Sequence, residues 1–274
     1  MNIHVCRLAA VLFSLATICM GTSALAQPMP CNEVGVTMGH WHLNSRDIEA
    51  NKKIFVAMGG VASKPGDFDI VVFPGLMIIL HLRPGSPPAE GPTEGSVINH
   101  VGLIVQNVQE AVARWKAAGV PVVPGNNNRL DQAYVNMPDG LRIEVLEDKA
   151  QREPVRHEHV HFFLPAAVIP QSQAWYAKHF GAKPGVRNDA PVADLPGVQL
   201  RFAKTDKALV PTRGRILDHI GFDVKDLKAF LAKLEADGIK IERPYTFNEK
   251  TGEALAFISD PWGVSIELNQ RRPR

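Results

Sequence analysis

Apolar positions along the chain follow two periods. In "VQEAVARWKAAG", Val108, Ala111, Val112 and Trp115 fall at the 3.6-residue spacing of a helix, and Gly119 ends the run. In "LKAFLAKLEADG", Leu227, Phe230, Leu231 and Leu234 do the same ahead of Gly238. "FVAMGG" and "YAKHFGA" close two further helical stretches with glycine. The spacing predicts helices over 47–58, 108–118, 171–180 and 225–237. Between them lie short runs of period two, bounded by Gly and Pro: "FDIVVF", "LMIILHL", "AYVNM", "LRIEVL", "VQLRFA", "ALAFIS" and "VSIEL". Each helix is thus preceded by one strand and followed by several, an α+β pattern in four segments.

The segments repeat. A shift of 119 residues carries His100 onto His219 and His40 onto His159, and a shift of 123 carries Glu144 onto Glu267. The four extra residues fit a longer loop at "TFNEKTGE". The chain reads as two homologous halves, 34–150 and 155–270, joined by the charged "EDKAQREPVR".

Four βαβββ segments, with histidine on a first strand and glutamate on the last strand after "PDG" or "PWG", resemble the vicinal oxygen chelate superfamily. This is the group of glyoxalases, bleomycin-resistance proteins and extradiol dioxygenases. "HVGLIVQN…DGLRIEVLE" and "HIGFDVKD…PWGVSIEL" carry the resemblance best. It implies modules paired into two open, cup-shaped mixed sheets, each around a divalent metal, and a small-molecule substrate.

Strand alternation makes ligand geometry plausible. In "HVGLIVQ", His100, Gly102, Ile104 and Gln106 share one face; in "LRIEVLE", Arg142, Glu144 and Leu146 do. If the intervening apolar residues pack under helices, His100 and Glu144 project together, and His219 and Glu267 likewise. Two histidines and a carboxylate leave cis positions open on a first-row metal. The odd segments offer His-x-His pairs in "GHWHLN" and "EHVHFF". His40 lies seven residues before Asp47, as His100 does before Asn107 and His219 before Asp226, and the repeat then selects His159. The expected centres are His40, His100 and Glu144 in the first half and His159, His219 and Glu267 in the second. His42 and His161 would be second ligands, substrate contacts or bases, with His157 on the same face. The ion would be Fe, Mn, Zn or Ni.

Glyoxalase-like members use a fourth ligand from the last strand of the odd module, where this chain has Ile79 and Arg201. His81, two residues on, offers a substitute or a base. Extradiol-like members place a histidine and a tyrosine ahead of the final Pro-x-Gly. Here Tyr134 stands in the first half, Phe257 in the second, and no histidine in either. Arg142 and Arg201 are the candidate substrate-binding cations. The expected function is a metal-dependent lyase or isomerase acting on a vicinal-oxygen metabolite. The alternatives are a ring-cleavage dioxygenase and a non-catalytic small-ligand binding or resistance protein.

Composition adds the compartment. "MNIHVCRLAAVLFSLATICMGTSALAQ" reads as a signal peptide cleaved after Ala26, with an N-terminal membrane anchor as the alternative. Export to the periplasm or medium follows, and it disfavours a role that depends on a cytosolic thiol cosubstrate. Of three cysteines only Cys31 would remain, which leaves no internal disulfide. A formal charge of +2 gives no electrostatic case for nucleic acid or a membrane surface. A monomer or homodimer is expected.

Overall fold

The computed structural model describes residues 29–81 and 89–270. The expected signal peptide lies outside the described residues. The first module runs β1 (Val36–Leu43), α1 (Ile48–Ala57), β2 (Val61–Ser63), β3 (Asp69–Phe73) and β4 (Leu76–Leu80). The second runs β5 (Ile98–Val105), α2 (Val108–Ala117), β6 (Val122–Pro124), β7 (Gln132–Asn136) and β8 (Arg142–Glu147). The third runs β9 (Arg156–Leu164), α3 (Ile169–Phe180), β10 (Lys183–Arg187), β11 (Ala190–Leu195) and β12 (Val198–Lys204). The fourth runs β13 (Leu217–Val224), α4 (Leu227–Ala236), β14 (Arg243–Asn248), β15 (Glu253–Ser259) and β16 (Ser265–Gln270).

The count of seven from histidine to helix has a physical origin. Asp47, Asn107 and Asp226 are N-caps, each accepting a hydrogen bond from the backbone N–H three residues on. The fourth helix entry has no such side-chain cap. A short 3₁₀ turn and Pro170 start α3 instead, two residues earlier than the periodicity predicts. Gly181, with φ 67°, then ends it in the left-handed conformation.

Two open eight-stranded mixed sheets form, in the orders β14-β15-β16-β13-β1-β4-β3-β2 and β10-β11-β12-β9-β5-β8-β7-β6. The two modules of each sequence half do not share a sheet. The first module joins the fourth through antiparallel β1–β13, and the second joins the third through β5–β9. One face of each sheet packs under the helices with Trp41, Phe55, Trp115, Tyr176 and Phe222 fully buried; the other faces the cup.

Contacts on the helical side run the other way and tie together the two modules within each sequence half. Asp139, in the turn before β8, accepts from the Asn51 amide of α1 at 2.6 Å and from Arg46 N–H at 2.8 Å. Asp260, in the turn before β16, accepts from the Tyr176 hydroxyl of α3 at 2.9 Å. Burial pushes the Asp260 carboxyl up to about 6. Each module is therefore held to one partner by strands and to another by a turn.

Four β-bulges shape the cups. The β1–β13 register skips Gly39 and Asp218, and the β5–β9 register skips Asn99 and Glu158. Each skipped residue immediately precedes a histidine. The bulge at Glu158 also overturns one expectation. It reverses the alternation, so His157 pairs with Leu103 rather than joining the face of His159. His157 is buried on the core side with its ring edge-on to Trp41, centroids 4.9 Å apart. Burial holds it down at about 3.

Candidate metal centres

Because modules pair first with fourth and second with third, the ligand sets expected within each half do not assemble. The odd-module histidines change places. His40, His42, His219 and Glu267 form one cluster, and His100, Glu144, His159 and His161 form the other. In each, the four donor atoms lie within 4.8 Å of one another. Metal–ligand bonds near 2.1 Å keep donors within about 4.2 Å, so small closures suffice. The repeat relates the clusters residue by residue: 40 to 159, 42 to 161, 100 to 219, 144 to 267.

Both carboxylates are buried among imidazoles. Glu267 Oε2 lies 2.8 Å from His219 Nε2 and 3.8 Å from His40 Nε2. Its Oε1 accepts from the Asn269 amide at 2.7 Å. Glu144 Oε2 lies 3.2 Å from both His100 Nε2 and His159 Nε2. Its Oε1 takes the Gln132 amide and lies 3.4 Å from the Tyr134 hydroxyl. Burial by itself raises each carboxyl, but the paired histidines outweigh it and hold both far below the usual carboxylate range. Both therefore stay anionic.

The bulged residues orient the rings. Asp218 accepts from His219 Nδ1 at 2.6 Å, Asn99 faces His100 Nδ1 at 2.8 Å, and Glu158 accepts from His159 Nδ1. An occupied Nδ1 turns Nε2 toward the cup, the arrangement metal-binding histidines use. The fourth bulge, Gly39, has no side chain, and His40 has no hydrogen-bond partner on either ring nitrogen. The sequence shows Asn99, Glu158 and Asp218 as a recurring polar position before histidine, a signal that strand patterning alone does not interpret.

Two glycines make room. A Cβ built on Gly221 would lie 2.0 Å from His40 Cε1, and one on Gly102 would lie 2.1 Å from His159 Nδ1. The "HVG" and "HIG" motifs thus carry one ligand and the gap that admits a second from the neighbouring module.

His42 and His161 sit inside the donor sets. His42 pairs in register with His219, their ring centroids 4.4 Å apart, and His161 Nδ1 lies 3.0 Å from His100 Nε2. Burial and the neighbouring imidazoles push His42 well down and His161 to about 2, so both are neutral ligands in form. They stand beside Ile79 and Arg201 in the parallel register and supply the fourth donor that β4 and β12 lack. A histidine that holds an ion cannot also act as a free base.

The other expected residues line the cups. His81 stands 6.2 Å from His42 and 4.7 Å from Phe68, ring to ring. Arg142 lies over the Tyr134 ring at 4.1 Å and pairs with Glu94 at 2.7 Å. Arg201 pairs with Glu158 at 3.1 Å. Burial, then Glu144, raises the Tyr134 hydroxyl, so it remains protonated.

The donor chemistry fits a divalent first-row ion. Buried Nε2 atoms of His40 and His161 have no hydrogen-bond partner, which costs about 1–3 kcal/mol each unless a cation takes the lone pair. Three imidazoles and one carboxylate are the ligands such ions prefer.

Comparison with known proteins agrees with this architecture. Residues 159–268 match the family model described as "Glyoxalase/Bleomycin resistance protein/Dioxygenase superfamily". A V278E mutant of glyoxalase I from Zea mays superposes with TM-score 0.66 at 16% identity, over 86% of this chain and 92% of that one. Glyoxalase I from Zea mays itself gives 0.62 at 14%, over 86% and 92%. A candidate dioxygenase from Bacillus subtilis subsp. subtilis str. 168 gives 0.60 at 12%, over 90% and 87%. Comparison with curated protein sequences gives no match. At these identities the structural likeness is one of fold, and it joins the sequence match over the second half. Residues 159–268 thus carry the sequence signature of the glyoxalase, bleomycin resistance protein and dioxygenase superfamily, and the chain as a whole shares the fold of glyoxalase I.

Proposed function

We propose that the protein is a divalent-metal-dependent lyase or isomerase acting on a small metabolite with two adjacent oxygens. The observation that carries the reading is the convergence of one carboxylate and three imidazoles in each cup, their donor atoms within 4.8 Å of one another. A bound ion would supply Lewis acidity, polarising adjacent substrate oxygens and stabilising an enolate or oxyanion. The chain's part is to hold donors, exclude water and move a proton. In the cup of His40, the residue placed to accept a substrate proton is His81. In the cup of His100, the protonated Tyr134 hydroxyl is placed to donate a hydrogen bond, and the Arg142 guanidinium above its ring favours an anionic substrate group.

Glu144→Gln and Glu267→Gln test the metal. Each exchange keeps size and removes the anionic ligand. Elemental analysis should find each single variant losing one bound ion per chain and the double variant losing both, with circular dichroism unchanged. Full metal content in the double variant would exclude both centres.

A second reading, extradiol ring cleavage, is favoured by Tyr134 beside Glu144. The positions before β8 supply Asn126 to the tyrosine hydroxyl at 3.0 Å rather than a histidine. Acid–base assistance of that kind contributes about 100- to 10,000-fold. Fe(II)-loaded protein is therefore expected to consume little oxygen with simple catechols. Rapid uptake with a yellow product would make the second reading the better one.

We also infer export, from the apolar segment ending at Ala24-Leu25-Ala26. No helix among the described residues is long and apolar enough to cross a membrane. Mature protein should begin at Gln27 on N-terminal sequencing; recovery of the intact N-terminus in membranes would favour an anchor.

A further inference from the structure

The two centres share their ligands but not their walls. The repeat and the strand registers identify which wall positions correspond. Beside the His40 centre, Met77 and Ile79 face the cup from β4, next to His40 and His42. The corresponding residues beside His159 and His161 are Gln199 and Arg201. One strand further out, Val72 opposite Met77 corresponds to Asp194 opposite Gln199. On the other flank, Phe257 opposite Glu267 corresponds to Tyr134 opposite Glu144. Leu255, one pair further along, corresponds to Gln132. At these five equivalent positions the first cup is apolar and the second polar; at Asn269 against Leu146 the order reverses, and Arg243 stands over the Phe257 ring at 5.7 Å.

The polar residues form a connected set. Gln199 donates to Asp194 at 2.8 Å and accepts from Arg201 at 3.0 Å, and Arg201 reaches Glu158, which orients His159. Arg142 adds a second cation on that cup's face, where the first cup has the buried Ser265. The first cup instead has Phe68, 45% exposed, its ring tilted against that of His81. An apolar wall rewards an aromatic or aliphatic body by the area it buries. A polar wall leaves unpaired groups against an apolar ligand, and its two guanidinium groups, now paired with Glu158 and Glu94, can take a ligand carboxylate in exchange for one of these partners.

We propose that the two centres take two different classes of vicinal-oxygen ligand: an aromatic or branched aliphatic one at His40, His42, His219 and Glu267, and a small hydrophilic carboxylate-bearing one at His100, Glu144, His159 and His161. This rests on the metal reading above. One chain would then carry two sites of equal ligation and opposed selectivity.

The test separates the centres by removing one at a time. Co(II)-loaded Glu144→Gln reports the first centre and Co(II)-loaded Glu267→Gln the second, through the visible absorption of the ion. Each is titrated anaerobically with 4-tert-butylcatechol and with glycerate. The quantity read is the ratio of the two affinities at one centre divided by the ratio at the other, so each probe's intrinsic chelating strength cancels. A quotient of at least about tenfold favouring the catechol at the first centre is expected, since one methylene in an apolar pocket is worth about that much. Ile79→Arg should lower the preference at the first centre and Arg201→Gln should raise it at the second. Equal ratios at both centres would overturn the proposal. If neither variant holds cobalt, the metal reading fails separately. The same probes are then titrated calorimetrically into the metal-free protein. There Ile79→Arg should weaken only the catechol and Arg201→Gln only glycerate, and equal effects on both probes would overturn the proposal.

Discussion

Gly221→Ala is expected to empty the first centre while leaving the second loaded. The added methyl would fall 2.0 Å from His40 Cε1, closer than any real Cβ contact, so the imidazole must leave its place. Overpacking of this kind costs about 1–3 kcal/mol of stability. Losing a ligand's position should weaken the metal by more than the 10–100-fold typical of outer-shell changes, roughly. Gly102→Ala should do the same to the second centre through His159. Metal content by elemental analysis and melting temperature together decide the point. Adding His40→Ala to Gly221→Ala should restore melting temperature without restoring metal, because the clash goes but the donor is gone. Full metal content in both glycine variants would refute the packing argument.

Neither half of the chain is expected to hold a metal by itself as a monomer. A cut between 150 and 155 separates His40 and His42 from His219 and Glu267, and His100 and Glu144 from His159 and His161. It also exposes β1, β5, β9 and β13 along the edges that the β1–β13 and β5–β9 ladders cover. Produced together, the fragments should reassemble and recover both ions; produced apart, their monomer fractions should bind at least about 100-fold more weakly. A monomeric half with the affinity of the whole chain would contradict the cross-paired sheets.

Much of this site could be read from local pattern, and one essential part could not. The four modules, the N-caps seven residues after histidine and the cup-facing glutamates all follow from periodicity within a strand or helix. So do both His-x-His pairs. Which module faces which does not, because the repeat makes β5 and β13 nearly equivalent partners for β1. The choice depends on long-range ladders and on turns such as Asp139 to Asn51, which have no local signature. His157 shows a second limit. A single bulge at Glu158 reverses every face assignment before it, and no residue type in "RHEHVH" announces the skip.

The ladder between β1 and β13 has a counterpart between β5 and β9, and the repeat that carries β1 onto β9 also carries β5 onto β13. The chain thus has the internal form of an isologous pair, a two-fold dimer whose copies are joined by one linker. In a true homodimer any change of sequence appears at both sites at once. Here each position is written separately, so a substitution at Ile79 leaves Arg201 untouched. Joining the copies has freed the two cups from shared inheritance. The two His/His/His/Glu sets correspond position by position, while the wall residues beside them, Ile79 and Arg201 among them, are free to differ.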